Sequence, residues 1–272
     1  MEAEVRERLG KLLHKKNWLL VSDRDGTLAP YTVDPAASRM PASTVKTLAA
    51  LAELPDTHVA LLSARSITFL LTDIGDAPIT LAGSYGTEIL YPDKQRITEP
   101  GVLPFKNAFE SLRLKLREIL PAARTIIDDN ELSICLHYHL TPPEMMPEVE
   151  REVDKIAAEF PILRRRRMAT SVEFLPDFDW DKGRGLARVT EHFNLADDKD
   201  TFFLFAGDTE ADEPGFEYVL SRGGTAVRVG NQFSGHKDYS CDNPEVAGQL
   251  FQQLLAIRSP EKFKELHASL SF

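Results

Sequence analysis

In "WLLVSDRDGTLAP", residues 18–30, four apolar residues run straight into Ser22 and Asp23, a second aspartate stands two positions on at 25, and Gly26 and Thr27 follow. A continuous apolar run this short, stopped by a turn, reads as a strand buried on both faces, the habit of parallel sheets. Three further runs end alike: "VALL" at Ser63-Ala64-Arg65, "ITLA" at Gly83-Ser84 and "FFLFA" at Gly207-Asp208. Amphipathic stretches such as "PASTVKTLAALAEL" supply crossover helices between them. Open parallel sheets bind ligands outside the carboxyl ends of their strands, so positions 23, 63 and 208 are expected to meet there.

Residues i and i+2 of an extended segment point the same way, so Asp23 and Asp25 can approach one small volume, joined by the main-chain carbonyl of Arg24 or Asp25. That arrangement suits Mg²⁺, which takes oxygen ligands and usually one or two carboxylates; Asp208 is the natural remaining one. Gly26 permits a sharp turn with free N–H groups and Thr27 adds a hydroxyl, so the loop is expected to cradle phosphate oxygens, with Ser63 as a further donor. Lys182, at the helix start in "DWDKGRGLARV", offers a point charge to offset phosphate. An aspartate is ionised at neutral pH, with an unperturbed pKa of about 3.9, and aspartyl phosphates are known covalent intermediates; Asp23 is read as the nucleophile. Asp25 is read as acid and then base. That role requires its pKa to rise by roughly 3 units, so it is expected to touch metal only through its carbonyl while its side chain faces the insert.

Between residues 104 and 176 the pattern changes to an αββαββ order: helices from "FKNAFESLRLKLREIL" and "PEMMPEVEREVDKIAAEF", each followed by a hairpin, around "DDNE" and in "ILRRRRMATSVEFL". In "SICLHYHL" alternation puts Ser133, Cys135, His137 and His139 on one face, polar enough to meet a ligand. The run Arg164 to Arg167 reads as a solvated edge strand, and Glu173 as a partner for one of those arginines or for a sugar hydroxyl. The tail after Pro260 reads as a short helix.

The chain of 272 residues carries 32 Lys plus Arg against 42 Asp plus Glu, a formal charge of −10, which disfavours nucleic acid or an anionic membrane as partner. The two cysteines, Cys135 and Cys241, form neither a zinc pattern nor a disulfide framework. "MEAEVRERLGKLLHKKNW" lacks the apolar core of a signal peptide, so a cytoplasmic, monomeric protein with a small-molecule partner is expected.

With these residues in hand, the chain resembles the haloacid dehalogenase superfamily, whose four motifs look like "DRDGT", "LLSARS", the lysine of "DKGRGLA" and "GDTEAD". Within it, the likeness is to the trehalose-6-phosphate phosphatase family, whose signatures resemble "LAGSYGTEI", "CLHYHL" and "VEFLPDFDWDKGRGLA" as well. The resemblance implies a Rossmann-like α/β core, residues 1–103 and 177–272, and an inserted α+β cap of C2 type, residues 104–176. It also implies Mg²⁺ held by Asp23, Asp25 and Asp208, and hydrolysis of a sugar phosphate, trehalose 6-phosphate first, by Asp23, Asp25, Ser63 and Lys182. Gly26, Thr27, Arg65, Glu88, His137 and Glu173 are the substrate-binding expectations, and Asp212 is read as orienting Lys182 or a metal-bound water, or else as a plain charge at a helix start. The chain departs from the family at Ala64, Tyr85, His139 and Thr209, where Gly, His, Arg and Asp are usual. Another glycosyl phosphate as substrate, or an inactive sugar-phosphate sensor, are the alternatives.

Overall fold

A computed structural model describes residue 10 and residues 13–119 and 124–270; most of the charged amino-terminal stretch lies outside them. The chain opens with β1 (Asn17–Ser22), β2 (Thr57–Leu62), β3 (Thr80–Gly83), β4 (Glu88–Leu90) and β5 (Arg96–Thr98). A second group follows, β6 (Ile126–Asp129), β7 (Ile134–His137), β8 (Leu163–Met168) and β9 (Ser171–Pro176), before the chain returns with β10 (Thr201–Gly207), β11 (Thr225–Val229) and β12 (Tyr239–Cys241). Eight strands form one sheet in the order β12-β11-β10-β1-β2-β3-β4-β5, and four form another, β6-β7-β9-β8. The first is parallel from β12 to β3 and antiparallel only at β4 and β5. The eight-stranded sheet makes a Rossmann-like α/β core and the four-stranded one an α+β cap, as the resemblance implies.

Strand parity accounts for the apolar runs. Trp18, Leu20, Val59, Leu61, Phe202 and Leu204 pack on one face of the core sheet. Their chain neighbours Leu19, Val21, Ala60, Leu62, Phe203 and Phe205 pack on the other. The first face is covered by helices 42–52, 67–74 and 244–258 through Leu48, Leu70 and Phe251, the second by helices 182–192 and 213–221 through Leu186 and Phe216. A strand covered on both sides has no polar alternate positions, which is why the sequence shows continuous runs.

In the cap, Ile134, Leu136, Val172 and Phe174 face helices 106–119 and 146–159 through Phe109, Leu112, Val149 and Val153. The opposite face of that sheet is polar and turned to the core. One register row crosses all four strands: Asp128 opposite Cys135, Cys135 opposite Glu173, Glu173 opposite Arg166. The arginine run on β8 splits as a strand requires. Arg165 and Arg167 reach the exposed Asp154, whereas Arg166 pairs with Glu173 on the core-facing side. The expected edge strand is found, with β8 at the end of the cap sheet, but its run is not all solvated: Arg166 belongs to the face that meets the core. The tail forms a helix, Pro260–Leu270, as expected.

Candidate active site

Register brings the motif ends together. Ser22 is level with Leu61 on one side and with Ala206 on the other, so Asp23, Ser63 and Asp208 each follow a neighbouring strand end. The Asp23 amide donates to the Ala206 carbonyl at 2.8 Å, extending the β1–β10 ladder to the first aspartate itself. Asp23, Asp208 and Asp212 are all buried, and one carboxylate oxygen from each lies within 4.8 Å of the others.

Lys182 enters this group from the first turn of helix Lys182–His192, whose start Asp181 caps by accepting from the Arg184 amide. Its ammonium lies 2.9 Å from Asp23 Oδ1 and 2.5 Å from Asp212 Oδ1. Burial would lower the Lys182 pKa, but Asp212 and Asp23 outweigh it and hold the group charged. Asp23 is pushed well above the usual carboxylate range by burial and by Asp212 and Asp208, against the pull of Lys182. Burial, then repulsion from Asp212, lifts Asp208 to about 6. Asp212 binds Lys182 with one oxygen and accepts from the Asp208 and Thr209 amides and the Thr209 hydroxyl with the other. It anchors both the lysine and the loop after β10. Three buried carboxylates against one ammonium leave a net negative site, a donor set that fits a hard divalent cation. A second group, Glu213, Glu217 and His236, is exposed or half-buried, and its Glu213 is already engaged by His236 and Arg228.

The loop after β1 differs from expectation. From Gly26 to Ala29 its amides are not free: Gly26 N–H donates to the Ala29 carbonyl, and Thr27, Leu28 and Ala29 all donate to the Arg24 carbonyl. The Thr27 hydroxyl donates to Asp208 Oδ1 at 3.1 Å, so it steadies a carboxylate where a phosphate contact was expected. The turn closes on itself because Gly26 takes a φ of +79°, which brings the two ends of the loop into bridging distance. The Arg24 carbonyl is thereby spent, and among the two candidate carbonyls only that of Asp25 remains. Tyr31, which sequence reading missed, donates to Asp208 Oδ2 at 2.8 Å; nothing in local spacing marks it.

Asp25 is the largest departure. Its carboxylate is gripped by Arg65 through Nε and Nη2, each at 3.0 Å, and by Arg24 Nη1 at 2.7 Å. Burial would raise its pKa, but the two guanidinium groups outweigh burial and hold it below the ordinary value, contrary to the rise expected of a waiting acid. Arg65 in turn reaches the cap: its Nη1 sits 2.7 Å from both oxygens of Asp128 on β6, and Nη2 also donates to the Pro35 carbonyl. Arg65 thus has every donor engaged within the protein, and Asp128 is the partner that sequence reading missed.

The other substrate-binding expectations fall in two places. Glu173 lies on the core-facing side of the cap, accepting from Tyr85 Oη at 2.9 Å and paired with Arg166 at 2.5 Å. Tyr85 reaches it from a left-handed backbone conformation, φ +62° and ψ +24°, an uncommon state for a bulky residue. His137 faces the same way, its Nε2 buried without a hydrogen-bond partner and 3.9 Å from Asp128. Glu88 stands apart, bound to Arg96 and Thr98 on β5. Ser63 is buried and accepts from the Arg65 amide at 3.2 Å. Between cap and core lies a cavity of about 470 Å³, whose walls include Tyr85, Arg166, Phe178, Trp180, Lys182 and Pro214. It meets the carboxylate group through Lys182.

Known proteins agree with this architecture. The trehalose-phosphatase family profile matches residues 21–244. A trehalose-phosphate phosphatase of Mycolicibacterium paratuberculosis is 30% identical over 208 residues, covering 76% of this chain and 52% of its own length. A probable trehalose-phosphate phosphatase of rice is 24% identical, covering 76% of this chain and 57% of its own, so the chain spans a little over half the length of such relatives. Among solved structures, the C-terminal domain of the Candida albicans trehalose-6-phosphate phosphatase superposes with a TM-score of 0.73 at 18% identity, covering 92% of this chain and 96% of that one. No helix among the described residues is long and apolar enough to cross a membrane. The chain belongs to the trehalose-phosphatase family and has the haloacid dehalogenase fold.

Proposed function

We propose that this chain is a Mg²⁺-dependent phosphatase that hydrolyses a sugar phosphate through an aspartyl-phosphate intermediate, with trehalose 6-phosphate as the first candidate. The observation that carries the reading is the buried group of Asp23, Asp208 and Asp212 around Lys182 at the ends of adjacent strands. Relatives named as trehalose-phosphate phosphatases support the substrate.

Asp23 attacks phosphorus in line, and the P–O bond to the sugar breaks as the new acyl-phosphate bond forms. Lys182, already 2.9 Å from Asp23, neutralises phosphoryl oxygens, and the Ser63 hydroxyl donates to them. Asp23, Asp208 and the Asp25 carbonyl would hold Mg²⁺, which when bound supplies positive charge against the phosphoryl group. A phosphate monoester of about −2 beside the three carboxylates of this group makes about −5, more than one lysine can offset. Asp212 keeps Lys182 and the Asp208 amide in place. Asp25 protonates the leaving alkoxide and then takes a proton from the water whose oxygen attacks phosphorus, breaking the P–O bond to Asp23 and releasing phosphate. To do so it must first be released from Arg65 and Arg24, whose grip favours its ionised form.

That grip also suits a sugar-phosphate sensor that binds without turnover. One experiment separates the readings: phosphate release from a panel of glycosyl phosphates with Mg²⁺ and after chelation. Release from trehalose 6-phosphate that chelation abolishes is expected. Release from a different glycosyl phosphate alone would change the substrate, and saturable binding without release would establish the sensor.

A further inference from the structure

We propose that Phe178 and Trp180 form a stacking shelf for the C–H face of a pyranose ring, making the returning cap-to-core segment a specificity subsite for the leaving group. The proposal rests on the sugar-phosphate reading above and deepens it.

β9 ends at Pro176 and the next helix begins at Lys182, so Phe178 and Trp180 occupy the short segment between the cap sheet and the phosphate-side lysine. Both line the cavity that also contains Lys182, and both are only half-buried, whereas Phe109 and Phe174 of the cap are fully enclosed. Large apolar rings half-open in a cavity that Arg164, Arg166 and Glu210 also line give it apolar surface with polar groups beside it. A sugar ring has the same division: C–H groups on its face and hydroxyls around its edge.

The shelf is also held rigid. Trp180 Nε1 donates to the Tyr85 carbonyl at 2.9 Å, which fixes the indole against the core turn. Phe178 stacks on Trp180 with centroids 5.9 Å apart and planes 21° apart, and on Phe105, at the outgoing segment, at 5.9 Å and 29°. Gly101 makes room for this row, since a Cβ there would sit 3.2 Å from the Phe178 ring. Preorganised rings bind without paying to be ordered. Apart from Tyr85, whose hydroxyl is held by Glu173, the other side chains lining the cavity are polar or aliphatic, so the two rings offer a single shelf and not a sandwich for a planar base. Stacking one face while hydroxyls meet the polar groups suits a sugar better. Binding energy at this remote ring would orient the phosphate end at Lys182.

The test compares kcat/KM for trehalose 6-phosphate, glucose 6-phosphate and ring-less acetyl phosphate in the parent chain, Trp180→Ala, Trp180→Phe and Phe178→Ala. The shelf predicts that Trp180→Ala loses about tenfold more on the glycosyl phosphates than on acetyl phosphate, mainly through KM, and that Trp180→Phe retains most of the preference. Equal losses on all substrates would mark a purely structural role and overturn it. Should the alanine variants not fold, tryptophan emission titrated with trehalose decides: a saturable change in the parent that Trp180→Phe abolishes supports the shelf, and no change in the parent overturns it. A parent that releases phosphate only from acetyl phosphate would instead overturn the sugar-phosphate reading itself.

Discussion

Gly26 turns the backbone with a φ of +79°, and a Cβ there would lie 2.1 Å from Asp208 Oδ2 and 2.5 Å from the Tyr31 ring. Two penalties coincide: a left-handed conformation that side chains resist, and a collision with the carboxylate that Tyr31 and Thr27 hold. Gly26→Ala is therefore expected to lose on the order of 1–3 kcal/mol of stability and most phosphatase activity. Urea titration and phosphate release check this, and a variant matching the parent in both would show that the loop has slack. Lys182 is the second decisive position, because its fully buried ammonium is shared by two carboxylates. Lys182→Ala should abolish turnover with the fold retained by circular dichroism when Mg²⁺ is present; undiminished turnover would remove the lysine from the mechanism.

The elements meet at Arg65, which joins the catalytic loop at Asp25 to the cap strand β6 at Asp128. Asp128→Asn keeps the shape but removes the charge that pins the cap side of Arg65. The expected result is a three- to tenfold rise in KM, roughly what loss of one partly exposed ion pair allows, with faster amide exchange in β6. An unchanged KM and unchanged exchange would mean that the bridge does not govern the cap. The strands were legible in sequence because burial on both faces leaves uninterrupted apolar runs, and the αββαββ insert because its periodicity alternates. The Arg65 bridge was not, since Asp128 stands 63 positions away and no local pattern joins the two. The partners of the Gly26 and Thr27 amides were hidden for a related reason: composition reveals that a turn is tight, but not which carbonyls its amides will find.

For the whole molecule, the buried carboxylates connect pH, metal and stability. The Asp208 pKa stands at about 6 in the fold against an ordinary 3.8, so the folded state holds its proton more tightly than the unfolded chain does. That contribution is fully present below pH 3.8 and is lost as pH rises through about 6. A cation that prefers the ionised group reverses the trend. Mg²⁺ should raise the melting temperature more at pH 7.5 than at pH 5, by differential scanning fluorimetry. An equal or larger rise at pH 5 would place the ion elsewhere.

The most direct test of the account is to acid-quench the protein during turnover of a labelled sugar phosphate with Mg²⁺ and map the label by mass spectrometry. Label on the peptide carrying Asp23, absent from a folded Asp23→Ala variant that releases no phosphate, is predicted. Parent-like phosphate release by that variant, or a label on another residue, would contradict the account.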